Sequence, residues 1–189
     1  MAGSVSVSSA SADSPTPLSP VTSPLVSRTG RERQRYVANR DSDGGDRPIR
    51  LVAGCIPLRR APGAAEGGWE ILMVTNKNND SLIFPKGGWE TDETAEQAAA
   101  RETMEEAGAR GDVVPLGDFA FDSKMKDGKK TPCKCSVFVM NVTEEMEAWP
   151  EQSTRQRRWC TPTHAVASCK HEWMRDAIKK WGEGEGLKL

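Results

Sequence analysis

The sequence predicts a single mixed α/β domain, because strand-like segments stand on both sides of one strong helix. Leu51–Ile56 and Trp69–Thr75 precede the helix predicted at Thr94–Ala107, and Val113–Phe121 and Cys133–Val142 follow it. About 140 residues organised in this way can bury one hydrophobic core of their own. We therefore expect one folded unit rather than two.

The early strands are predicted from apolar runs bounded by turn residues. Leu51–Ile56 is almost entirely apolar, and the Gly- and Ala-rich loop Ala61–Gly68 separates it from Trp69–Thr75. A short apolar segment, Leu82–Phe84, ends at Pro85. The first half of the chain is therefore expected to supply strands to one sheet.

The helices are predicted from their end signals. Thr91 and Asp92 are the expected N-terminal caps of the first helix, and Gly108 is its expected end. A last helix is predicted from Thr161 onwards, with Pro162 in its first turn. Its apolar stripe consists of Val166, Cys169, Trp173, Ala177 and Trp181.

The two ends of the chain differ from the middle in composition. Residues 1–27 hold nine Ser, four Pro and one charged residue, too little apolar surface to offset the entropy of ordering. We expect a disordered tail there; the alternative is an organelle transit peptide, which an acid-poor, Ser-rich segment followed by arginines also resembles. The folded domain is expected over residues 28–181, and a frayed Gly/Glu-rich end over residues 182–189.

The overall composition excludes several classes of protein. Lys and Arg number 26 against 27 Asp and Glu, which argues against a basic nucleic-acid coat, and we expect no sequence-specific nucleic-acid partner. No apolar run reaches the roughly 18 residues that a membrane helix needs. Five irregularly spaced Cys argue against a secreted disulfide framework. We expect a soluble monomer of the cytoplasm or nucleus, with the mitochondrion or plastid as the alternative.

The predicted first helix carries an acidic face. At about 100° per residue, Glu102, Glu105 and Glu106 share one side, where like charges repel each other. The opposite side is expected to be buried and consists of Ala100, Thr103, Met104 and Ala107. The acidic side is either a solvated surface or a carboxylate cluster that binds a hard divalent cation.

The stretch from Gly87 to Ala109 favours the second interpretation, because it resembles the Nudix box. That pattern is a Gly, five residues, a Glu, seven residues, Arg-Glu, an apolar position, one residue, Glu-Glu, one residue, Gly and an apolar position. Its fixed and terminal positions are filled by Gly87, Glu93, Arg101, Glu102, Glu105, Glu106, Gly108 and Ala109. Thr103 stands where an aliphatic residue is commoner. A chance match of this length is negligible.

The resemblance implies a Nudix α/β/α sandwich around a mixed β-sheet, and hydrolysis of phosphoanhydride bonds. It implies that Glu102 and Glu106 bind Mg²⁺ or Mn²⁺ and that Glu105 is the general base. Glu93 and Arg101 are implied to pair and brace the loop, with Gly108 ending the helix. Such a metal acidifies a water molecule and neutralises charge on phosphate oxygens.

A longer resemblance, from about Ser27 to Trp181, is to plant-type Nudix hydrolases related to diphosphoinositol polyphosphate phosphohydrolases. The segments that carry it are Arg28–Arg31, Gln34–Tyr36, Leu51–Pro57, Phe84–Glu90, Arg157–Trp159 and Glu172–Met174. It implies a small anionic polyphosphate substrate: a diphosphoinositol polyphosphate, with diadenosine polyphosphates as a further substrate class. The residues expected at this substrate are Arg50, Lys77, Lys86, Gly87, Gly88, Lys129, Lys130 and Arg155.

Two other functions stay open. One is a nucleotide-sugar, dinucleotide or mRNA-cap pyrophosphatase, and the other is a catalytically silent Nudix scaffold that binds polyphosphates. The three intact glutamates argue against a silent scaffold, since a binder has no need of three carboxylates that repel each other. The many basic residues outside the box argue, more weakly, against sugar nucleotides.

Overall fold

A computed structural model describes residues 26–40, 44–63, 68–76, 81–124 and 128–189. Within these ranges the chain forms eight strands and three helices. In chain order they are β1 (Tyr36–Val37), β2 (Ile49–Arg60), β3 (Trp69–Thr75), β4 (Leu82–Ile83), β5 (Lys86–Gly88), α1 (Ala95–Ala107), β6 (Ala109–Lys124), β7 (Lys130–Glu145), β8 (Arg157–Cys160), α2 (Pro162–Ser168) and α3 (Glu172–Gly184).

The strands form one mixed sheet with the path β4-β3-β2-β7-β6. β2 lies parallel to β7, while the other pairings are antiparallel. β6 and β7 form a long hairpin, so both strands extend well beyond the apolar segments that predicted them. β2 is the central element, because it pairs with β1, β3, β5 and β7.

Helices cover both faces of this sheet. On β2, Ala53 and Cys55 pack with Ala98 and Ala99 of α1 in one buried cluster. The alternate residues of β2 belong to a second, larger cluster, which also contains the buried side chains of α3, namely Met174, Ala177, Ile178 and Trp181. Because successive side chains of a strand point to opposite faces, α1 and α3 lie on opposite sides of the sheet. The expected α/β/α sandwich is confirmed.

The first helix begins later than its caps predicted. Thr94, rather than Thr91 or Asp92, is the N-cap, and Thr94 and Gln97 form a reciprocal capping box. The predicted end is right: Gly108 has a left-handed backbone with φ of 62°, and its N–H donates to the Met104 carbonyl. That backbone position favours glycine.

The sequence analysis predicted one continuous last helix, and this prediction is wrong, because the structure has two helices there, α2 and α3. Cys169 ends α2, the main-chain N–H of Lys170 donates to the Leu82 carbonyl, and the Arg175 guanidinium donates to the Cys169 carbonyl. Because of these contacts the residues between α2 and α3 are not helical, and one of them is hydrogen-bonded to β4. Residues 182–189, expected to form a frayed end, contain the last turn of α3, and Leu187 and Leu189 pack against the core.

The helices of the described ranges are short, and the cysteines are buried. None of the three helices in the described ranges is both long and apolar enough to cross a membrane. All five cysteines are buried and free, and Cys133 and Cys135 pack on β7. Burial raises the pKa of the Cys55 thiol to about 12, so this thiol stays protonated.

Candidate active site

Gly87 holds the loop before α1 close to the acidic face of the helix. β5 pairs with β2 through Gly87 and Ala53, which places the Gly87 backbone directly against the Glu102 side chain. A Cβ atom at Gly87 would overlap the Glu102 carboxylate, and one at Gly88 would overlap the Gln34 amide. Both glycines are therefore needed for close approach rather than for an unusual backbone angle.

The acidic face of α1 is buried, so its interpretation as a solvated surface is wrong. Glu105 and Glu106 are only 4% and 5% exposed. On the same side, Ala98 and Ala99 are buried against β2 and Thr103 is buried next to them, whereas Ala100 and Met104 of the opposite side, expected to be buried, are partly exposed. The helix therefore buries the side that carries the glutamates, together with Ala98 and Ala99, and the expectation that Ala100 and Met104 face the core is wrong.

Glu106 is held from two directions. Its Oε2 accepts the main-chain N–H of Lys86 at 3.0 Å, and its Oε1 accepts a hydrogen bond from Arg155 Nη2. The other donors of Arg155 bond to Glu151 Oε2 at 2.6 Å and to the Thr75 carbonyl at 2.9 Å. Arg155, which we expected at the substrate, is buried behind Glu106, with its donors directed at protein atoms.

Arg101 connects the other acidic residues of the motif. Its guanidinium pairs with both carboxylate oxygens of Glu93, at 2.7 and 2.9 Å, and donates to the Gly88 carbonyl at 3.0 Å. Nη1 donates to Glu102 at 2.8 Å and to Glu105 at 3.3 Å. The expected pairing of Glu93 with Arg101 is thus present, and it fixes the loop to the helix.

The electrostatics of the three glutamates fit a binding site for a divalent cation. Burial raises the pKa of Glu102, of Glu105 and, to about 7, of Glu106, against the opposing charges of nearby Arg and Lys groups. In the described part of the chain, no three His, Cys, Asp or Glu side chains are already arranged around a metal position. The donors are nonetheless carboxylate oxygens, which Mg²⁺ and Mn²⁺ prefer, and each oxygen keeps a further lone pair. The donor set therefore fits a hard divalent cation.

The expected substrate residues fall into three groups. Lys86 lies on β5, beside the acidic site, and its charge opposes the rise in pKa of Glu102 and Glu106. Arg50 and Lys130 line a cavity of about 310 Å³, and Lys129 is exposed on the adjoining turn. Lys77 lies outside the described residues.

Three contributors to these sites were missed by the sequence analysis. Arg31 and Arg47 line the same cavity as Arg50 and Lys130. Arg28 reaches the acidic site, where its main-chain N–H donates to Glu105 Oε1 at 3.3 Å. Arg28 and Arg31 belong to a segment that carries the longer resemblance, and Arg47 stands in a basic stretch of sequence, but neither signal gives information on where each side chain lies.

Comparison with known proteins identifies the family of the chain. The NUDIX domain family matches residues 48–181. Nudix hydrolase 16, mitochondrial, of Arabidopsis thaliana is 45% identical over 82% of this chain and 86% of the relative. Diphosphoinositol polyphosphate phosphohydrolase 3-alpha of Mus musculus is 36% identical over 48% of this chain and 54% of the relative. The crystal structure of a C. elegans Ap4A hydrolase has the same fold, with a TM-score of 0.54 and 21% identity over 72% of this chain and 97% of that one. The chain belongs to the NUDIX domain family and is a Nudix hydrolase.

Proposed function

We propose that this protein hydrolyses the diphosphate groups of diphosphoinositol polyphosphates, using Mg²⁺ or Mn²⁺. The observation that carries the proposal is the cavity of about 310 Å³ at the start of β2 and β7. Four cationic side chains, Arg31, Arg47, Arg50 and Lys130, line it, and none of its described lining residues is an acid. A ring substrate that carries phosphate on nearly every carbon needs such a surface, whereas a sugar nucleotide does not.

The cavity is connected to the acidic site by direct contacts. Arg50 Nε donates to Gln34 Oε1 at 2.6 Å, and the Gln34 amide lies against Gly88. Gly88 in turn accepts a hydrogen bond from Arg101 through its carbonyl. The proposal takes the diphosphate to lie at the glutamates and the other phosphates to reach the cations of the cavity.

Each group has a stated role in the proposed reaction. Glu102 and Glu106 would hold the metal, which when bound supplies a more acidic water and neutralises charge on phosphate oxygens. Glu105 accepts the proton of the attacking water. Lys86 offers a cation to the diphosphate, while Arg155 positions Glu106 and Arg101 positions Glu102 and Glu105. Arg50 and Lys130 bind the distant phosphates.

One relative supports the choice of diphosphoinositol polyphosphates as the substrate class. The Mus musculus relative is named for diphosphoinositol polyphosphates, and it matches about half of this chain. The Ap4A hydrolase structure, at 21% identity, shows the fold alone. Diadenosine polyphosphates therefore stay in the proposal as a weaker substrate class, on the strength of the resemblance described above.

The test is product formation, resolved by chromatography because cleavage of a dinucleotide releases no inorganic phosphate, from a panel of inositol pyrophosphates, diadenosine polyphosphates, ADP-ribose and a capped dinucleotide, each with Mg²⁺ and with Mn²⁺. We expect the highest kcat/KM on an inositol pyrophosphate. A higher value on ADP-ribose or on a capped dinucleotide would favour the nucleotide pyrophosphatase, and no turnover on any compound would favour a scaffold.

A double variant, Arg50→Ala/Lys130→Ala, tests the role of the cavity. One charge-assisted contact to phosphate contributes about 1.5–3 kcal/mol, so kcat/KM on an inositol pyrophosphate should fall at least about tenfold. The matched control is Arg60→Ala/Lys134→Ala, on the same two strands, whose cations contact Trp69 and Asp118 instead. Equal losses in both variants would show a general charge effect rather than a phosphate site.

We infer an organelle location, the alternative to the cytoplasm or nucleus, from the name of the mitochondrial Arabidopsis relative. A fluorescent fusion of the whole chain should enter mitochondria or plastids, and a fusion that lacks residues 1–27 should not. A cytosolic full-length fusion would contradict this inference.

The expectations of a monomer and of no sequence-specific nucleic-acid partner stay predictions, which light scattering and a gel-shift assay can check.

A further inference from the structure

The segment Arg28–Arg35, here called the arm, precedes the part of the chain that matches the NUDIX domain, yet it lies on the loop that leads into α1. The Arg35 N–H donates to the Trp89 carbonyl, and the Thr91 N–H donates to the Arg33 carbonyl, both at 2.8 Å. The Arg35 side chain donates to the carbonyls of Glu90 and Thr91, and its guanidinium stacks over Trp89. The arm is therefore held in place independently of Arg28.

Arg28 extends from this fixed arm into the acidic site. Its guanidinium donates to Glu90 Oε2 at 2.7 Å and to Asp92 at 3.2 Å. Its main-chain N–H donates to Glu105 Oε1 at 3.3 Å, while Arg101 donates to the opposite oxygen, Oε2, at the same distance. Glu105 is thus held between one donor from its own helix and one donor from the arm.

We propose that Arg28 is a positioning residue for Glu105. Its guanidinium, anchored on Glu90 and Asp92, fixes the position of residue 28, and its N–H then sets the orientation of the Glu105 carboxylate. Two donors on opposite oxygens define the plane of a carboxylate, whereas Arg101 alone would leave it free to rotate. The proposal rests on the proposed function only in that Glu105 is taken as the proton acceptor.

Three variants separate the two contacts of Arg28. Arg28→Ala keeps the N–H and removes the guanidinium, Arg28→Lys keeps a cation, and Arg28→Pro removes both the N–H and the guanidinium. We expect Arg28→Pro to lower kcat by about tenfold at nearly unchanged KM, because an N–H bond to a carboxylate is charge-assisted. Arg28→Ala should lose less, and Arg28→Lys should recover most of that smaller loss.

The control is the chain without residues 1–25, which keeps the arm and should have wild-type kcat. Thermal unfolding and hydrogen exchange of residues 89–93 report whether the arm stays bound in each variant. A wild-type kcat in Arg28→Pro would overturn the proposal, as would a loss of kcat accompanied by release of the arm in every variant. The assays use whichever panel substrate the wild type cleaves fastest, so a wrong substrate class would not be mistaken for a wrong role of Arg28.

Discussion

The acidic site on α1 and the cationic cavity beside it are built in opposite ways. In the acidic site the charged groups are buried and bonded to each other, as Glu106 is to Arg155 and Glu93 is to Arg101. In the cavity they are more open: the Lys130 side chain is 70% exposed, and Arg31 and Arg47 are exposed as well. A buried pair that loses one partner leaves an uncompensated charge, whereas an exposed cation returns to water. Changes in the first region should therefore affect stability and turnover, and changes in the second should affect substrate binding alone.

The largest effect is expected from Glu106→Gln. The amide keeps the shape of the side chain and can still bond to the Lys86 N–H, but it removes the negative charge that a divalent cation needs. We expect kcat to fall by roughly a hundredfold or more while circular dichroism shows a folded protein.

The matched control for this variant is Glu96→Gln, an exposed acid in the first turn of the same helix. It should leave kcat unchanged. Near-normal turnover of Glu106→Gln at saturating Mg²⁺ would mean that the metal is held elsewhere.

Arg155→Ala should give the largest loss of stability. It removes the buried partner of both Glu106 and Glu151, and breaking such a pair costs about 3–5 kcal/mol. Urea unfolding measures the loss, and Arg158→Ala, which removes an exposed arginine three residues along, is the control. A stable Arg155→Ala variant with a raised KM would instead return Arg155 to the substrate, where the sequence analysis expected it.

The same contrast explains how much of the molecule was predictable from sequence. The acidic site comes from one continuous stretch, Gly87–Gly108, so the spacing along a helix already brings Glu102 and Glu106 together, whereas the pairing of Glu93 with Arg101 was implied by the resemblance. The end of α1 at Gly108 was predictable for the same reason, because it depends on local backbone geometry alone.

The grouping of the cations into one cavity and the contacts of the arm could not be assigned from sequence, because the residues that meet there are far apart in the chain. Arg50 and Lys130 come together because β2 and β7 lie side by side, and Arg31 and Arg47 join them from the segment before β2. The place of Arg155 behind Glu106 could not be read from the sequence for a related reason. Charge alone does not distinguish a lysine or arginine that binds substrate from one that pairs with a buried glutamate.

Gly87→Ala is expected to have an intermediate effect. The added Cβ would overlap the Glu102 carboxylate, which lies at the end of a flexible side chain and can move away. The variant should therefore fold, with a free energy of unfolding lower by about 1 kcal/mol or less. The displaced carboxylate should lower kcat on the order of tenfold to a hundredfold. The control is Gly184→Ala, where nothing lies within 4 Å of the new Cβ. Its free energy of unfolding and its kcat should both stay unchanged.

The smallest effect is expected from Arg47→Ala, which removes one cation from the open cavity. Because the other three cations stay in place and water reaches the site, KM for an inositol pyrophosphate should rise only a few-fold, with kcat and the unfolding midpoint unchanged. The rise should shrink as salt is added, since the Debye length falls from about 10 Å at 0.1 M to about 3 Å at 1 M. Arg158→Ala, an exposed arginine outside the cavity, should leave KM unchanged at every salt concentration. A fall in kcat or in stability at Arg47→Ala would show that the cavity is coupled to the acidic site more tightly than the contact through Gln34 implies.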